Sequence, residues 1–291
     1  MEPTRADALL ELAERVLTDS TQLFDDHDHR YEAEQLLASV LKMEPEDVDD
    51  DLELPRRSRE RFLSLVARRA GGEPFPLLTG YVKFYGLELK VKPGMFMPRA
   101  SSELMVARAV KRLRARAHPV VVDVATGTGP IAIAIADEVP SAEVWGTDIA
   151  GDMLTLGRRN ARALDVTNVS FRRGDMYGAL PARLRGIVDV ITGHVPYVPA
   201  GELEDLPAEV REHEPVSTLS DSSTDGLDLM RHAVFNAKEW LKPGGWLLLE
   251  VSEDLTPKVR RFSRKAGLED RGVASDEDDL SVVVEARKPR P

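Results

Sequence analysis

The segment Val120-Val121-Val122-Asp123-Val124 runs directly into Ala125-Thr126-Gly127-Thr128-Gly129-Pro130. No other stretch limits the fold as sharply. A short, almost unbroken β-branched run reads as a strand buried on both faces. The glycines permit a tight turn, and a proline suits the first position of the helix that follows. The same rhythm recurs downstream. Glu143–Asp148 reads as a second strand and Asp152–Leu164 as a second helix, and further strands fit Val169–Arg172, Ile187–Thr192, Gly245–Val251 and Leu280–Ala286. The expected fold class is therefore α/β, a doubly wound Rossmann-like, mostly parallel sheet with helices on both faces. Ligands of such sheets sit beyond the carboxyl ends of the strands, where the strand order reverses.

Upstream the periodicity is helical. Ala6–Thr18, Tyr31–Met43 and Arg59–Ala70 carry apolar residues three and four apart, as in Leu9, Leu12, Ala13 and Val16, and Gly71-Gly72 closes the third helix. Pro76 to Val91 alternates weakly, with glycines at 80 and 86, and reads as a hairpin. Pro93-Gly94 and Met97-Pro98-Arg99 follow as a connector, and Glu103–Ala117 is helical. The expected organisation is a small helical recognition domain over 1–75, a hairpin linker over 76–98 and a cofactor-binding domain over 99–291.

Composition excludes several chemistries. The chain of 291 residues has no cysteine, which removes disulfides, thiolate zinc sites and a thiol nucleophile. Its longest apolar run, Ile131 to Ala136, is far short of the roughly 20 residues that span a bilayer. The amino terminus is mixed in charge and unlike a signal peptide, so a cytoplasmic protein with no membrane partner is expected. A formal net charge of −11 argues against direct capture of nucleic acid. Asp25-Asp26-His27-Asp28-His29 has metal-ligand residue types, but no matching ligands follow, so no metal site is expected. The acidic runs 49–51 and 276–279 read as solvated turns, and His213 and His232 as surface or helix residues.

The chemistry concentrates at the strand ends. Asp148 closes the second strand, where a carboxylate accepts the two ribose hydroxyls of an adenosine-type cofactor. Asp175 follows the third strand, placed to meet an adenine amino group with Met176 against the ring. Gly127-Thr128-Gly129-Pro130-Ile131-Ala132 also satisfies a dinucleotide fingerprint, which would indicate a nicotinamide oxidoreductase. Two features oppose that rival. Pro130 removes a helix N–H that a pyrophosphate needs, and Asp123 adds a negative charge that repels phosphate yet suits a sulfonium or ammonium. S-adenosylmethionine fits better, held by Asp123, Thr126, Gly127, Thr128, Gly129, Asp148, Ile149, Asp175 and Met176.

After the fourth strand comes Gly193-His194-Val195-Pro196-Tyr197-Val198-Pro199, a loop stiffened by prolines. Its position makes His194, Pro196 and Tyr197 the candidates to receive a methyl acceptor.

With these segments together, the chain resembles the release-factor glutamine methyltransferase (HemK-type) family over nearly its whole length. Gly72 to Gly80 is similar to the family's linker entry, and Phe96-Met97-Pro98-Arg99-Ala100-Ser101-Ser102-Glu103 to its Pro-Arg-Pro-x-Thr-Glu segment. Asp123 to Ala134 resembles its cofactor loop. Glu209-Val210-Arg211, Glu214-Pro215 and Asp225-Gly226-Leu227 resemble the stretch after its catalytic loop. The resemblance implies a class I methyltransferase with a helical amino-terminal domain, S-adenosylmethionine as cofactor, and Phe96 packed on it. It also implies a peptide chain release factor as partner, methylated on a glutamine side chain. The catalytic loop departs from the pattern: the family has Asn-Pro-Pro-Tyr where this chain has His194-Val195-Pro196-Tyr197. In the family the asparagine carbonyl and a backbone carbonyl hold the amide protons. A neutral imidazole accepts one hydrogen bond and donates another, and it also serves as a base near neutral pH. A small-molecule or peptide nitrogen or oxygen acceptor, with His194 as base, therefore stands beside the glutamine amide as an alternative, and a non-catalytic binding protein on the same scaffold, recognising its partner through the amino-terminal helices, is the alternative of another class.

Overall fold

Helix α1 (Ala6–Thr18) turns its apolar face toward α2 (His29–Leu41) and α3 (Arg56–Ala70), so that Leu9, Ala13, Leu17, Leu36, Leu37, Phe62 and Val66 form one buried cluster. This computed structural model describes residues 4–23, 28–275 and 281–291, with the side chain of Ser281 left aside. The metal-type residues 25–27 and the acidic run 276–279 lie outside the described residues. Asp28 caps α2, accepting the Tyr31 N–H at 2.9 Å, and His29 Nδ1 lies 3.2 Å from Thr18 Oγ1. Lys42, in a left-handed conformation at φ 59°, ends α2 ahead of Met43. Within the helical cluster the Arg69 guanidinium, with no exposed surface, forks onto both carboxylate oxygens of Glu32 at 2.8 and 2.9 Å.

The expected hairpin starts later than its alternation suggests. Pro74 and Pro76 favour helical φ values, and Phe75–Thr79 forms a short helix (α4) that Gly80 ends at φ +86°. Only then come β1 (Tyr81–Phe84) and β2 (Leu87–Lys90). Two compact units result: Met1–Val82 with Val91–Pro93 and Leu206–His213, and Lys83–Lys90 with Gly94–Asp205 and Glu214–Pro291. The first also holds α8 (Ala208–His213), whose Glu209 lies 3.3 Å from Arg69.

The second unit begins its helices with α5 (Ser102–Leu113). Its strands are β3 (Val120–Val124), β4 (Glu143–Asp148), β5 (Val169–Arg173), β6 (Val188–Gly193), β7 (Leu241–Ser252), β8 (Glu269–Ser275) and β9 (Ser281–Arg287). They form one sheet in the order β5-β4-β3-β6-β7-β9-β8. The first five are parallel, and β9 runs antiparallel to both β7 and β8. Helices α5, α6 (Pro130–Glu138) and α7 (Gly151–Ala163) pack together on one side. The other helices are α9 (Val216–Leu219), α10 (Asp228–Trp240) and α11 (Thr256–Lys265), of which α10 and α11 pack against each other and on β7, β8 and β9. The order reverses between β3 and β6, so their carboxyl ends flank a crevice.

Candidate active site

Val120, Val121, Val122 and Val124 are all buried on the central strand, and this fixes where its last residues project. The chain leaves β3 through Ala125 at φ +53° and Gly127 at φ +57°, and Gly129 at φ +82° starts α6 with Pro130 in its first turn. A side chain at Gly129 would meet Phe171 ring carbons at 2.6 Å, so this position needs glycine for space as well as for its dihedral angle. Gly127 donates its N–H to Asp148 Oδ2 at 2.8 Å, and Ala150 donates to Oδ1 at 2.8 Å. The Ile149 N–H also acts on this carboxylate, which keeps acceptor capacity for a further donor. Burial pushes the Asp148 carboxyl above its ordinary range, against the pull of these N–H groups.

A cleft opens at these strand ends. Thr126, Gly127, Asp148, Ile149, Asp175, Met176, Phe96, His194 and Pro196 all border it. Ile149 is an apolar side chain 61% exposed on the lining, whereas Met176 is buried at φ +45°. Two of the non-glycine residues at positive φ, Ala125 and Met176, thus border the cleft, each costing roughly 1–2 kcal/mol in that conformation.

Four candidates lie off the lining. Asp123 is 1% exposed and accepts hydrogen bonds from Thr126 Oγ1 at 2.5 Å and Thr192 Oγ1 at 2.7 Å. Burial pushes it up to about 7, with nearby Asp148 adding to the rise and the two threonine hydroxyls opposing it. Asp123 therefore braces the turn from beneath. Thr128 and Gly129 are packed behind the turn, toward Gly157 and Phe171. Tyr197, expected to offer a flat face to the acceptor, instead stacks on the His194 ring at 5.8 Å and packs on the core. Its partner Val195, wholly buried, pins the loop and leaves the tyrosine ring to cover His194.

His194 borders the cleft with its side chain only 15% exposed. Phe96 meets it edge-on at 5.5 Å. Nδ1 lies 3.2 Å from Ser102 Oγ and 3.4 Å from Glu250 Oε2. Burial lowers its pKa below the ordinary histidine value, Glu250 works against that, and Arg99 adds to it. Arg99 pairs with the buried Glu214 and lies 4.8 Å over the Phe96 ring. Sequence reasoning missed Ser102 and Glu250 as neighbours of His194. A glutamate inside the apolar run Leu247-Leu248-Leu249-Glu250-Val251 was the available signal for one of them. Gly226, at φ +65°, lets its segment pass against the loop: an added Cβ would sit 2.8 Å from both Pro199 N and Val198 C.

The comparisons with known proteins agree with this geometry. Residues 116–274 match a family model described as a methyltransferase domain, and residues 8–80 match the PrmC N-terminal domain. The release factor glutamine methyltransferase of Streptomyces coelicolor is 38% identical over 224 residues, 76% of this chain and 77% of that one. The chain belongs to the release factor glutamine methyltransferase family. Its relative of the same name in Geobacter sulfurreducens is 34% identical and covers 89% of each chain. Among solved structures, a methyltransferase from Pyrococcus furiosus shares the fold at 16% identity and a TM-score of 0.51, covering 80% of this chain and 98% of that one. The family's chemistry is methyl transfer from S-adenosylmethionine, which decides against the nicotinamide reading of the glycine turn. The cleft suits that cofactor: Asp148 keeps acceptor capacity for a hydroxyl beside the apolar side chains of Ile149 and Met176, which also border it. Among the described residues no helix is long and apolar enough to cross a membrane.

Proposed function

We propose that this chain methylates the side-chain amide nitrogen of a glutamine in a peptide chain release factor. The observation that carries the reading is the family membership, with one third or more of residues identical to relatives of that name over most of both chains. Asp148 accepts the ribose hydroxyls, Asp175 the adenine amino group, and Met176, Ile149 and Phe96 pack on the flat portion of the cofactor. Thr126, Gly127, Thr128 and Gly129 form the turn beneath it, and Asp123, once deprotonated, supplies negative charge below its positively charged end. When bound, S-adenosylmethionine supplies a methyl group already activated by its sulfonium. The protein's task is then alignment of three atoms, an effect worth roughly 7–11 kcal/mol when it is well achieved. His194 and Pro196 form the acceptor side, with Tyr197 stacked on the His194 ring behind them. Residues 1–75 recognise the partner protein, 76–98 link, and 99–291 carry out transfer in the cytoplasm.

Mass spectrometry of release factors and cell extract, incubated with the chain and methyl-labelled cofactor, tests the reading. A labelled glutamine-containing peptide is expected. Label found only on a small molecule, or on a peptide nitrogen or oxygen outside glutamine, would transfer the role of His194 to a base for a different acceptor.

A further inference from the structure

His194 stands where the family loop carries an amide side chain, and an imidazole does that work only if the correct ring nitrogen is bare. The surroundings decide which one that is. Glu250, on β7, has no exposed surface. Its Oε1 accepts from Ser101 Oγ at 2.8 Å. Its Oε2 is buried with no hydrogen-bond partner in good geometry, and the nearest cation-forming group is His194 Nδ1 at 3.4 Å. A lone pair on Nδ1 would face the lone pairs of that oxygen, whereas a proton there satisfies both groups. Ser102 Oγ, at 3.2 Å, is placed to accept from the same N–H once Nδ1 carries the proton. Nε2 has no protein partner among the described residues and is not sealed from solvent.

We propose that Glu250 is a positioning residue that holds His194 in the Nδ1–H tautomer, so that Nε2 presents its lone pair to an N–H of the acceptor amide. The inference rests on the glutamine reading for its substrate. One hydrogen bond of the amide then ends on Nε2, as it would on the family's asparagine oxygen. The imidazole adds what an amide lacks. As the nitrogen–carbon bond forms and the carbon–sulfur bond breaks, sulfur keeps that bond's electron pair, and the amide nitrogen loses a proton to Nε2, which later releases it to solvent.

The charged and titratable groups around the ring are Glu250 from β7, Arg99 from the segment ahead of α5 and Tyr197 from its own loop. Burial and Arg99 keep the ring neutral below the ordinary histidine range, which preserves the acceptor near neutral pH. Removing the Glu250 charge favours the neutral ring further, so Glu250→Gln moves the acid limb of kcat to lower pH.

Nitrogen-15 NMR of ring-labelled protein, with the His194 signals assigned by their loss in His194→Asn, reads the tautomer without any substrate. The wild type is expected to show a protonated Nδ1 and a bare Nε2, and Glu250→Ala a shift toward the Nε2–H form. Glu250→Ala should lower kcat roughly 10- to 100-fold, as loss of a group orienting a functional imidazole does, and leave the KM for the cofactor little changed. In the His194→Asn background the same substitution should have no such effect. A wild-type ring protonated on Nε2, or an equal loss of kcat in both backgrounds, overturns the proposal. Failure to methylate any release factor would overturn the glutamine reading alone, because the tautomer is measured independently.

Discussion

Replacing Asp148 by asparagine isolates the cofactor side of the site. The carboxylate already accepts two backbone N–H groups, from Gly127 and Ala150, each at 2.8 Å. Its remaining lone pairs are the ones assigned to the ribose. Asparagine keeps one acceptor oxygen and replaces the other by an NH2 group, so one ribose hydroxyl loses its acceptor and one backbone N–H faces a donor. A hydrogen bond to a charged group contributes about 1.5–3 kcal/mol. At about 1.4 kcal/mol per tenfold, losing one of them weakens cofactor binding roughly 10- to 150-fold. Titration calorimetry with S-adenosylmethionine measures this directly, and kcat at saturating cofactor should stay close to wild type because the acceptor loop is untouched. A Kd within about threefold of wild type, less than the ~1.4 kcal/mol that makes a tenfold change, would refute the assignment. So would a collapse of kcat with binding intact.

Three further outcomes are expected. Gly226→Ala pushes a methyl group against the backbone of Val198 and Pro199; a displacement of about 1 Å in the loop carrying His194 should cost up to roughly 100-fold in kcat, with cofactor Kd unchanged in the same calorimeter. Asp123, pushed up to about 7, holds its proton in the folded state where the unfolded chain has lost it. Stability therefore falls as pH rises from about 4 toward 7, and Asp123→Asn should flatten that slope in thermal melts; cofactor binding to the wild type should tighten as pH climbs through the same region. Glu32→Ala leaves the buried Arg69 guanidinium with Glu209 and the Glu73 carbonyl as partners, and should cost about 3–5 kcal/mol in denaturant unfolding, whereas replacing both members of the Arg69–Glu32 pair by methionine should cost less.

How much of this was legible depended on whether the signal was local. β3, α6 and β4 have the bounds read from sequence, because an apolar run ending in Gly127, Gly129 and Pro130 leaves little choice of register. β8 went unread: Glu269-Asp270-Arg271-Gly272-Val273-Ala274-Ser275 is polar, as suits an edge strand paired only with β9. The helices α10 and α11 were also passed over, their apolar positions interleaved with charges such as Arg231, Lys258 and Arg260. At the site, the carboxylates were visible because each lies at or within two residues of the end of its own strand. The surroundings of His194 were not. Ser102 and Glu250 reach it only through the sheet and α5, and nothing near residue 194 announces either. Tyr197 shows the converse error, since a ring beside a catalytic loop looks available until the fold stacks it on its neighbour.

The most direct test of the account is a crystal structure of the chain with S-adenosylhomocysteine and a glutamine-containing release-factor peptide. The account predicts ribose hydroxyls on Asp148 and the glutamine amide nitrogen within hydrogen-bond distance of His194 Nε2. An amide held by other groups, with His194 turned away or its Nδ1 facing the peptide, would contradict it.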